Sequence, residues 1–188
     1  MSVTYPAGFR AAGVAAGLKA SGSLDLGLLV GDPGTTVAGL FTTNAFAAAP
    51  VLVGRERIGG AAARAVLVNS GQANAATGQR GDADAIASSA AAAAALGMRA
   101  DEIVPCSTGV IGEPIHMEPL LTALPALAAA IGPEGSDAFA RAIMTTDTVD
   151  KQAVADDGCH RAGGCAKGVG MIAPHLATML AFITTTQR

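Results

Sequence analysis

Residues 65–96 read AVLVNSGQANAATGQRGDADAIASSAAAAAAL and carry the strongest structural signals in the chain. Residues 65–68 are apolar, are followed at once by polar residues and leave no room for helical periodicity, so they predict a strand. Residues 82–96 predict a helix, because alanine is the best helix former, Asp82 suits the N-cap and Gly97 suits the C-terminal cap. A strand, a polar loop and a helix in succession are typical of proteins that layer helices on a sheet.

The same reading extends to both sides of this unit. Short apolar runs between glycine, proline and asparagine turns predict strands at 24–30, 37–42, 51–53 and 102–106. Apolar residues at helical spacing predict helices at 117–131, which Pro125 kinks or splits, and at 137–144. Residues 152–154 and 161–166 predict a hairpin around Asp157-Gly158. Because strands and helices alternate, the fold class is α/β or α+β.

The composition bounds the function. A chain of 188 residues is long enough for one domain. Of these residues 51% are apolar, only 14% are charged and 3% are aromatic, and the net charge is −3. So little charge on so apolar a chain predicts that much of its surface is buried against another chain. The chain has no basic run and no tryptophan, which argues against binding to nucleic acid, and no uninterrupted apolar stretch long enough to span a membrane.

The N-terminal sequence and the cysteines indicate the cellular compartment of the protein. The N-terminal sequence MSVTYPAGFRAAG lacks a basic start followed by an apolar run, so we expect no signal peptide. Cys106, Cys159 and Cys165 are odd in number and form no CxxC pair, which argues against a disulfide scaffold or a zinc site. We therefore expect a protein of the reducing cytoplasm.

Four polar clusters interrupt the apolar chain, at 69–78, 107–112, 145–148 and 167–178. Loops rich in small hydroxyl and amide residues present backbone N–H groups to ligands, but ordinary turns have the same composition. The chain lacks the spacing of a phosphate-binding loop, a dinucleotide-binding motif and a GxSxG nucleophile elbow. Cys159, His160 and Cys165 would need a further ligand to hold a metal, so we expect no metal site.

Thr178 has one route to reactivity. If its hydroxyl attacks the carbonyl of Ala177, an N-to-O acyl shift gives an ester, and hydrolysis then frees the α-amine of Thr178. That amine has an ordinary pKa near 8, so it can serve as a base for the adjacent hydroxyl. The residues alone leave a second reading open, in which Thr178 simply begins the apolar strand predicted at 179–184.

The motifs decide between these readings. In order along the chain they are PAGFRAAGVAAGLKASGSLDLGLLV (6–30), VAGLFTTNAFAAAPV (37–51), VLVNSGQANAATG (66–78), VPCSTGVIGEPI (104–115), AIMTTDTVDKQ (142–152) and AKGVGMIAPHLATMLAFITT (166–185). Together they cover nearly the whole chain. The sequence resembles the ornithine acetyltransferase family, the glutamate N-acetyltransferases of cyclic arginine biosynthesis.

The resemblance implies a fold and an activity. The fold is an α/β layered sandwich of the autoprocessing N-terminal-threonine type. On this resemblance the chain would be cut between Ala177 and Thr178 into an α chain (1–177) and the start of a β chain (178–188). Thr178 would then take the acetyl group from N-acetylornithine and pass it to glutamate in a ping-pong cycle. No cofactor is expected, although acetyl-CoA serves some members as a donor.

The resemblance also assigns residues and partners. Thr108 and Gly109 would form the oxyanion hole, and Thr145, Thr146 and Lys167 would contact the substrate, with Lys167 as a point charge for a carboxylate. Members of the family continue for roughly 200 residues more (from the resemblance), as a β chain, so the expected partner is that chain in an α2β2 heterotetramer. The expected location is the cytoplasm.

Two other functions stay open. Aminopeptidases with an N-terminal nucleophile have a similar layout but pass their acyl group to water. The chain ends ten residues after Thr178, and a non-catalytic fragment that binds a partner is the third reading.

Overall fold

The first sheet has four strands that lie side by side in chain order. The computed structural model of the protein describes residues 2–168 and 178–186. The strands are β1 (Phe9–Val14), β2 (Leu26–Gly31), β3 (Ala65–Gln72) and β4 (Ile103–Val110). The first three run antiparallel, whereas β3 and β4 run parallel from Ala65 opposite Ile103 to Gln72 opposite Val110. The polar ends of β3 and β4 therefore meet at one edge of the sheet.

In the part of the chain that the structure describes, four helices accompany this sheet. They are α1 (Ala49–Gly59), α2 (Gly78–Leu96), α3 (Met117–Ala129) and α4 (Ser136–Ala142), and a short 3-10 turn spans Ala100–Glu102. Helix α2 makes the crossover that a parallel strand pair requires. It ends at Gly97, whose φ of 63° is the left-handed conformation that glycine adopts without strain. Among the described residues, no helix combines the length and the apolar character needed to cross a membrane.

A second sheet of three antiparallel strands follows. It contains β5 (Lys151–Asp156), β6 (Arg161–Lys167) and β7 (Leu180–Thr185), with β6 in the middle. The carboxylate of Asp157 accepts the backbone N–H groups of Cys159 and His160 and so closes the turn between β5 and β6. The predicted hairpin is confirmed, and so is the strand that begins just after Thr178.

The core has two parts, one on each face of the first sheet. On one face, Leu26, Leu28 and Leu67 pack against α2 and α3. On the other face, Leu29 and Val68 pack against α4 and the second sheet. Residues of β2 alternate between the two parts, and all six are buried, as expected of a strand that is covered on both sides. The resulting arrangement is a layered one of helices and sheets.

Several local predictions were wrong. Residues 37–42 form no strand: Leu40 there is 94% exposed, and the run contacts Arg55 of α1, which lies over the Phe41 ring, instead of pairing with a strand. Residues 51–53 lie inside α1, because Pro50 at the helix start and the polar turn after them favour a helix over the β-branched pattern. Helix α2 begins at Gly78 and not at Asp82. Pro125 does not split α3, which continues through it from Met117 to Ala129.

Strand β1 was not predicted. Its sequence FRAAGV has an arginine, a glycine and no clean alternation, so it shows no strand period. Tertiary contacts determine it instead: its whole length pairs with β2, and a Cβ at Gly13 would lie 2.2 Å from the carbonyl oxygen of Ala138 in α4.

Candidate active site

A cavity of about 920 Å³ lies where the ends of β3, β4 and β6 meet the loop between β1 and β2. Each described residue that the sequence assigned to the site lines this cavity. These residues are Thr108, Gly109, Thr145, Thr146, Lys167 and Thr178. Ala177 lies outside the described residues, so of the predicted cleavage site the structure describes Thr178 only. Positions separated by up to 70 residues in the chain thus share one site.

The floor of the cavity is set by backbone geometry. Gly109 has a φ of +135°, and a Cβ there would lie 2.2 Å from the carbonyl oxygen of Gly71 on the neighbouring strand. Gly71 has a φ of +131°, and a Cβ added there would lie almost as close to the carbonyl oxygen of Leu18. Two glycines side by side therefore let the ends of β3 and β4 turn and bring three backbone segments together. No other residue type fits at Gly109 without moving Gly71.

Lys167 joins the two sheets at the floor. Its Nζ donates a hydrogen bond of 2.7 Å to the hydroxyl of Thr108 and lies 3.4 Å from the carbonyl oxygen of Thr178. Lys167 is 3% exposed and Thr108 is fully buried. Since an ammonium group has only donors, the Thr108 oxygen must accept, and its own O–H is left to donate elsewhere. This arrangement suits a hydroxyl that stabilises a negative oxygen.

The charge on Lys167 is balanced by its surroundings. Burial lowers the pKa of Lys167 below its usual value. The negative charge of Asp147 acts against this shift, whereas the positive charges of Lys19 and Lys151 add to it. Asp147 is therefore the nearby anion that favours the charged form of the lysine.

Asp147 is a site residue that the sequence analysis did not single out. It lies in the loop that also carries Thr145 and Thr146, which are both exposed. Its carboxylate accepts a hydrogen bond of 3.0 Å from the backbone N–H of Gly168 and forms an ion pair with Lys151. Burial raises the pKa of Asp147, but these bonds outweigh burial and hold the pKa below its usual value. In the sequence, the only sign of this role was that Asp147 and Lys151 are four residues apart and have opposite charges.

Asp25 organises the opposite wall and was also missed. It is fully buried, and its carboxylate accepts the backbone N–H groups of Ala16, Leu18 and Lys19 at 2.6, 2.6 and 3.0 Å. The loop between β1 and β2 is thereby fixed beside the cavity, and the Leu18 carbonyl in turn accepts a bond from the side chain of Gln72. A lone aspartate inside the apolar run SLDLGLL was the signal that could have found it.

Glu113 and His116 line the cavity on the stretch that follows β4. The Nε2 atom of His116 lies 3.3 Å from a carboxylate oxygen of Glu113, and both side chains are about half exposed. Neither was a predicted site residue. Together with Lys19 and Lys167 they give the cavity ionisable groups of both signs, which suits a polar, charged ligand.

The cysteines and histidines that the structure describes form no second candidate site. Within residues 2–168 and 178–186, no group of three His, Cys, Asp or Glu side chains is arranged to hold a metal ion. Burial raises the pKa of Cys106 and of Cys165 to about 12, so both remain uncharged thiols at neutral pH. Cys159 is exposed in the β5–β6 turn, away from the residues that line the cavity.

Comparison with known proteins places the chain among close relatives. The family model described as ArgJ family matches residues 10–188. Proteins named "Arginine biosynthesis bifunctional protein ArgJ" from a Synechococcus strain and from Mycolicibacterium paratuberculosis are each 50% identical to it. The matches cover 97% of this chain but only 45% and 48% of those proteins. The chain thus spans about half the length of the curated relatives it matches.

Two solved structures share the fold. A chain of ornithine acetyltransferase from Mycobacterium tuberculosis, solved with ornithine, matches with a TM-score of 0.85 and 44% identity over 95% of this chain and 96% of that one. A protein from Bacillus halodurans described as arginine biosynthesis bifunctional protein argJ matches with a TM-score of 0.80 and 36% identity, over 96% and 95%. The predicted α/β layered fold is therefore confirmed.

Proposed function

The chain belongs to the ArgJ family, and from this premise we propose that it forms the nucleophile-bearing part of an acetyltransferase. The enzyme would move the acetyl group of N-acetylornithine to glutamate, as a step of arginine biosynthesis in the cytoplasm. The names of the relatives and the ornithine in one of the similar structures support this substrate class. Because the chain spans about half of its relatives, the activity is proposed for the assembly that it forms with the remaining polypeptide.

The observation that carries the proposal is the convergence around Thr178. Three positions from two distant parts of the chain, Thr108 and Gly109 on one side and Lys167 on the other, line the same cavity as this threonine. In the proposed processing step the Thr178 hydroxyl attacks the carbonyl carbon of Ala177, and the peptide nitrogen leaves as the α-amine of Thr178. Water then hydrolyses the ester, which gives a carboxylate at Ala177 and restores the Thr178 hydroxyl.

Acetyl transfer uses the products of that cleavage. The free α-amine of Thr178 accepts the hydroxyl proton as the oxygen attacks the acetyl carbonyl of N-acetylornithine. Collapse of the tetrahedral intermediate breaks the amide bond, returns the proton to the leaving nitrogen and releases ornithine. The acetyl ester on Thr178 is next attacked by the amino group of glutamate, which leaves as N-acetylglutamate. Acetyl-CoA would enter, where it is used, as another donor in the first half.

The proposed oxyanion hole consists of the Thr108 hydroxyl and the Gly109 N–H. The hydrogen bond from Lys167 to the Thr108 oxygen supports this role, since it leaves the Thr108 proton to be donated to the oxyanion. Thr108 is fully buried, and a donor in a site that excludes water stabilises an oxyanion more strongly than the same donor in water. Loss of one such donor typically lowers the rate by about 10²–10³.

The remaining roles complete the proposal. Thr145 and Thr146 have exposed side chains on the wall of the cavity and would contact the substrate, with Thr145 favoured. Lys167 would contribute its positive charge to the same substrate. The polypeptide that accounts for the other half of the relatives would be the β chain, in an α2β2 assembly.

The nucleophile assignment is tested by mass. We expect the wild-type assembly to separate after residue 177 and to hold one acetyl group on the fragment that begins with Thr178 after reaction with N-acetylornithine. Thr178→Ala should remain uncut and capture no acetyl, whereas Thr186→Ala, an exposed threonine at the end of β7, should behave as wild type. Acetyl transfer by the uncut Thr178→Ala protein would refute the proposal.

Glutamate distinguishes transfer from hydrolysis. A transferase gives N-acetylglutamate and releases little free acetate, whereas an amidohydrolase releases acetate at the same rate with or without glutamate. Chromatographic analysis of both products, in the presence and absence of glutamate, separates the two activities.

A further inference from the structure

Most of the lysines of the chain lie in or near the cavity. The sequence contains only three, Lys19, Lys151 and Lys167. Lys19 and Lys167 both line the cavity, from the β1–β2 loop and from the end of β6. The positive charges of Lys19 and Lys151 both act on Lys167 and lower its pKa. So sparsely charged a chain therefore concentrates its ammonium groups at one place.

Lys19 is held in place by its own loop. Its backbone N–H is bound by the buried carboxylate of Asp25, and its Nζ donates a hydrogen bond of 2.8 Å to the carbonyl oxygen of Leu24. An ammonium group has three donors, and the Leu24 carbonyl uses one. Burial lowers the pKa of Lys19, and Asp25 partly offsets this shift. The side chain is thus fixed, half-buried and able to donate to a ligand.

The nearby carboxylates are committed to other partners. Both carboxylate oxygens of Asp25 accept hydrogen bonds from backbone N–H groups of the loop. Asp147 is bound to Lys151 and to the N–H of Gly168, and Glu113 faces His116. Two lysines that repel each other consequently line one cavity, and no side-chain carboxylate in the described residues forms an ion pair with Lys19. A ligand carboxylate would relieve this repulsion.

We propose that Lys19 binds the carboxylate of the amino-acid substrate in this cavity. The inference rests on the proposed function, in which N-acetylornithine and glutamate occupy the same site in turn. Their side chains differ in charge, but both carry an α-carboxylate, so one fixed cation can serve both. Lys167 is already engaged with Thr108 and Thr178 at the reacting end, which leaves Lys19 as the cation for the group that both substrates share.

The test is a comparison of four proteins and two substrates. The assembled enzyme is prepared as wild type, Lys19→Met, Lys19→Arg and Arg80→Met, the last as a control that removes one positive charge from an exposed position of α2. Each is assayed with N-acetylornithine and with its α-carboxamide, which lacks the negative charge. A charge-assisted hydrogen bond contributes about 1.5–3 kcal/mol, which is a factor of about 10–150 in affinity.

With N-acetylornithine, Lys19→Met should raise KM by about 10–150-fold and leave kcat nearly unchanged. Lys19→Arg should recover a large part of the loss, and Arg80→Met should equal wild type. With the carboxamide, wild type and Lys19→Met should have the same KM, because the group that Lys19 recognises is gone.

Three results would overturn the inference. The first is an unchanged KM for N-acetylornithine in Lys19→Met. The second is an equal rise in KM for the acid and the carboxamide, and the third is a fall in kcat alone; either of these would mark Lys19 as a support of its loop. If Lys19→Met does not fold, Lys19→Gln replaces it, because its amide can still donate to the Leu24 carbonyl.

Failure of the proposed function is recognised separately. If the wild-type enzyme captures no acetyl group on Thr178, that function fails. Lys19 is then tested by calorimetry with ornithine and ornithinamide, where only the acid should lose affinity in the Lys19→Met variant. Equal binding of both compounds by wild type would contradict the carboxylate site.

Discussion

The two sheets differ in how completely they are covered, and the cavity lies where they meet. The first sheet has α2 and α3 on one face and α4 with the second sheet on the other, and every residue of β2 is buried. Within residues 2–168 and 178–186, the second sheet packs one face: Phe182 and Thr184 point inward, whereas Ile183 between them is 79% exposed. Thr108 and Gly109 come from the first sheet, and Lys167 and Thr178 lie on or beside the second.

This difference separates two kinds of contribution. The first sheet supplies a rigid floor, in which backbone contacts determine each position. The second sheet and its loops supply charged and hydroxyl groups that are held by hydrogen bonds. We therefore expect substitutions in the first sheet, apart from Thr108 and Gly109, to affect mainly folding, and substitutions at the edge of the second to affect mainly the chemistry.

The largest expected effect on stability is at the joint between the sheets. Phe139 of α4 is fully buried, and its ring lies 5.3 Å from that of Phe182 in β7, edge to face. Phe139→Ala should lower the free energy of unfolding by about 3–5 kcal/mol, because it leaves a cavity between the two sheets. The exposed Phe46 provides the control, since Phe46→Ala should change it by at most about 0.5 kcal/mol. Urea denaturation measures both. Equal effects would mean that the sheets do not depend on this joint.

The next effect is at the glycine floor. Gly109→Ala places a methyl group 2.2 Å from the Gly71 carbonyl at a φ of +135°, and such strain costs on the order of 1–3 kcal/mol before the clash is added. Gly34→Ala is the matched control, because Gly34 also has a positive φ, +90°, but nothing lies within 4 Å of the added atom. We expect thermal unfolding to show a clearly larger loss for Gly109→Ala. A similar loss in both variants would show that the contact with Gly71 is unimportant.

The smallest expected effect is at Asp147, on the side of the second sheet. Because the folded state lowers its pKa, Asp147 stabilises the fold above its unfolded pKa of about 3.9, and this stabilisation is lost as the pH falls through the folded value. Asp147→Asn should cost about 1 kcal/mol at neutral pH and little at acid pH, where both proteins are neutral at this position. Denaturation as a function of pH measures the difference. If the difference in free energy of unfolding between the two proteins did not change with pH, the role assigned to the charge of Asp147 would be contradicted.

Local signals predicted the parts of the fold that have them. Strand β3, helix α2 and the β5–β6 hairpin follow from apolar runs, alanine content and the Asp-Gly turn. Strand β1 and the absence of a strand at 37–42 could not be predicted, because only the partner strand or its absence decides them. The motifs singled out six described residues that prove to line one cavity, but Lys19, Asp25 and Asp147 were missed because each is recognisable only from what lies opposite it.

By itself the sequence determined the family, the layered α/β class and which small polar clusters belong to one site, since these depend on residue types and their order. Only the tertiary structure decided how those clusters are arranged. It turned Lys167 toward Thr108, buried Asp25 under its loop and brought Lys19 to the cavity that Lys167 lines. The physical reason is that hydrogen bonds and charge repulsion act between groups that are close in space, and distance along the chain does not reveal which groups those are.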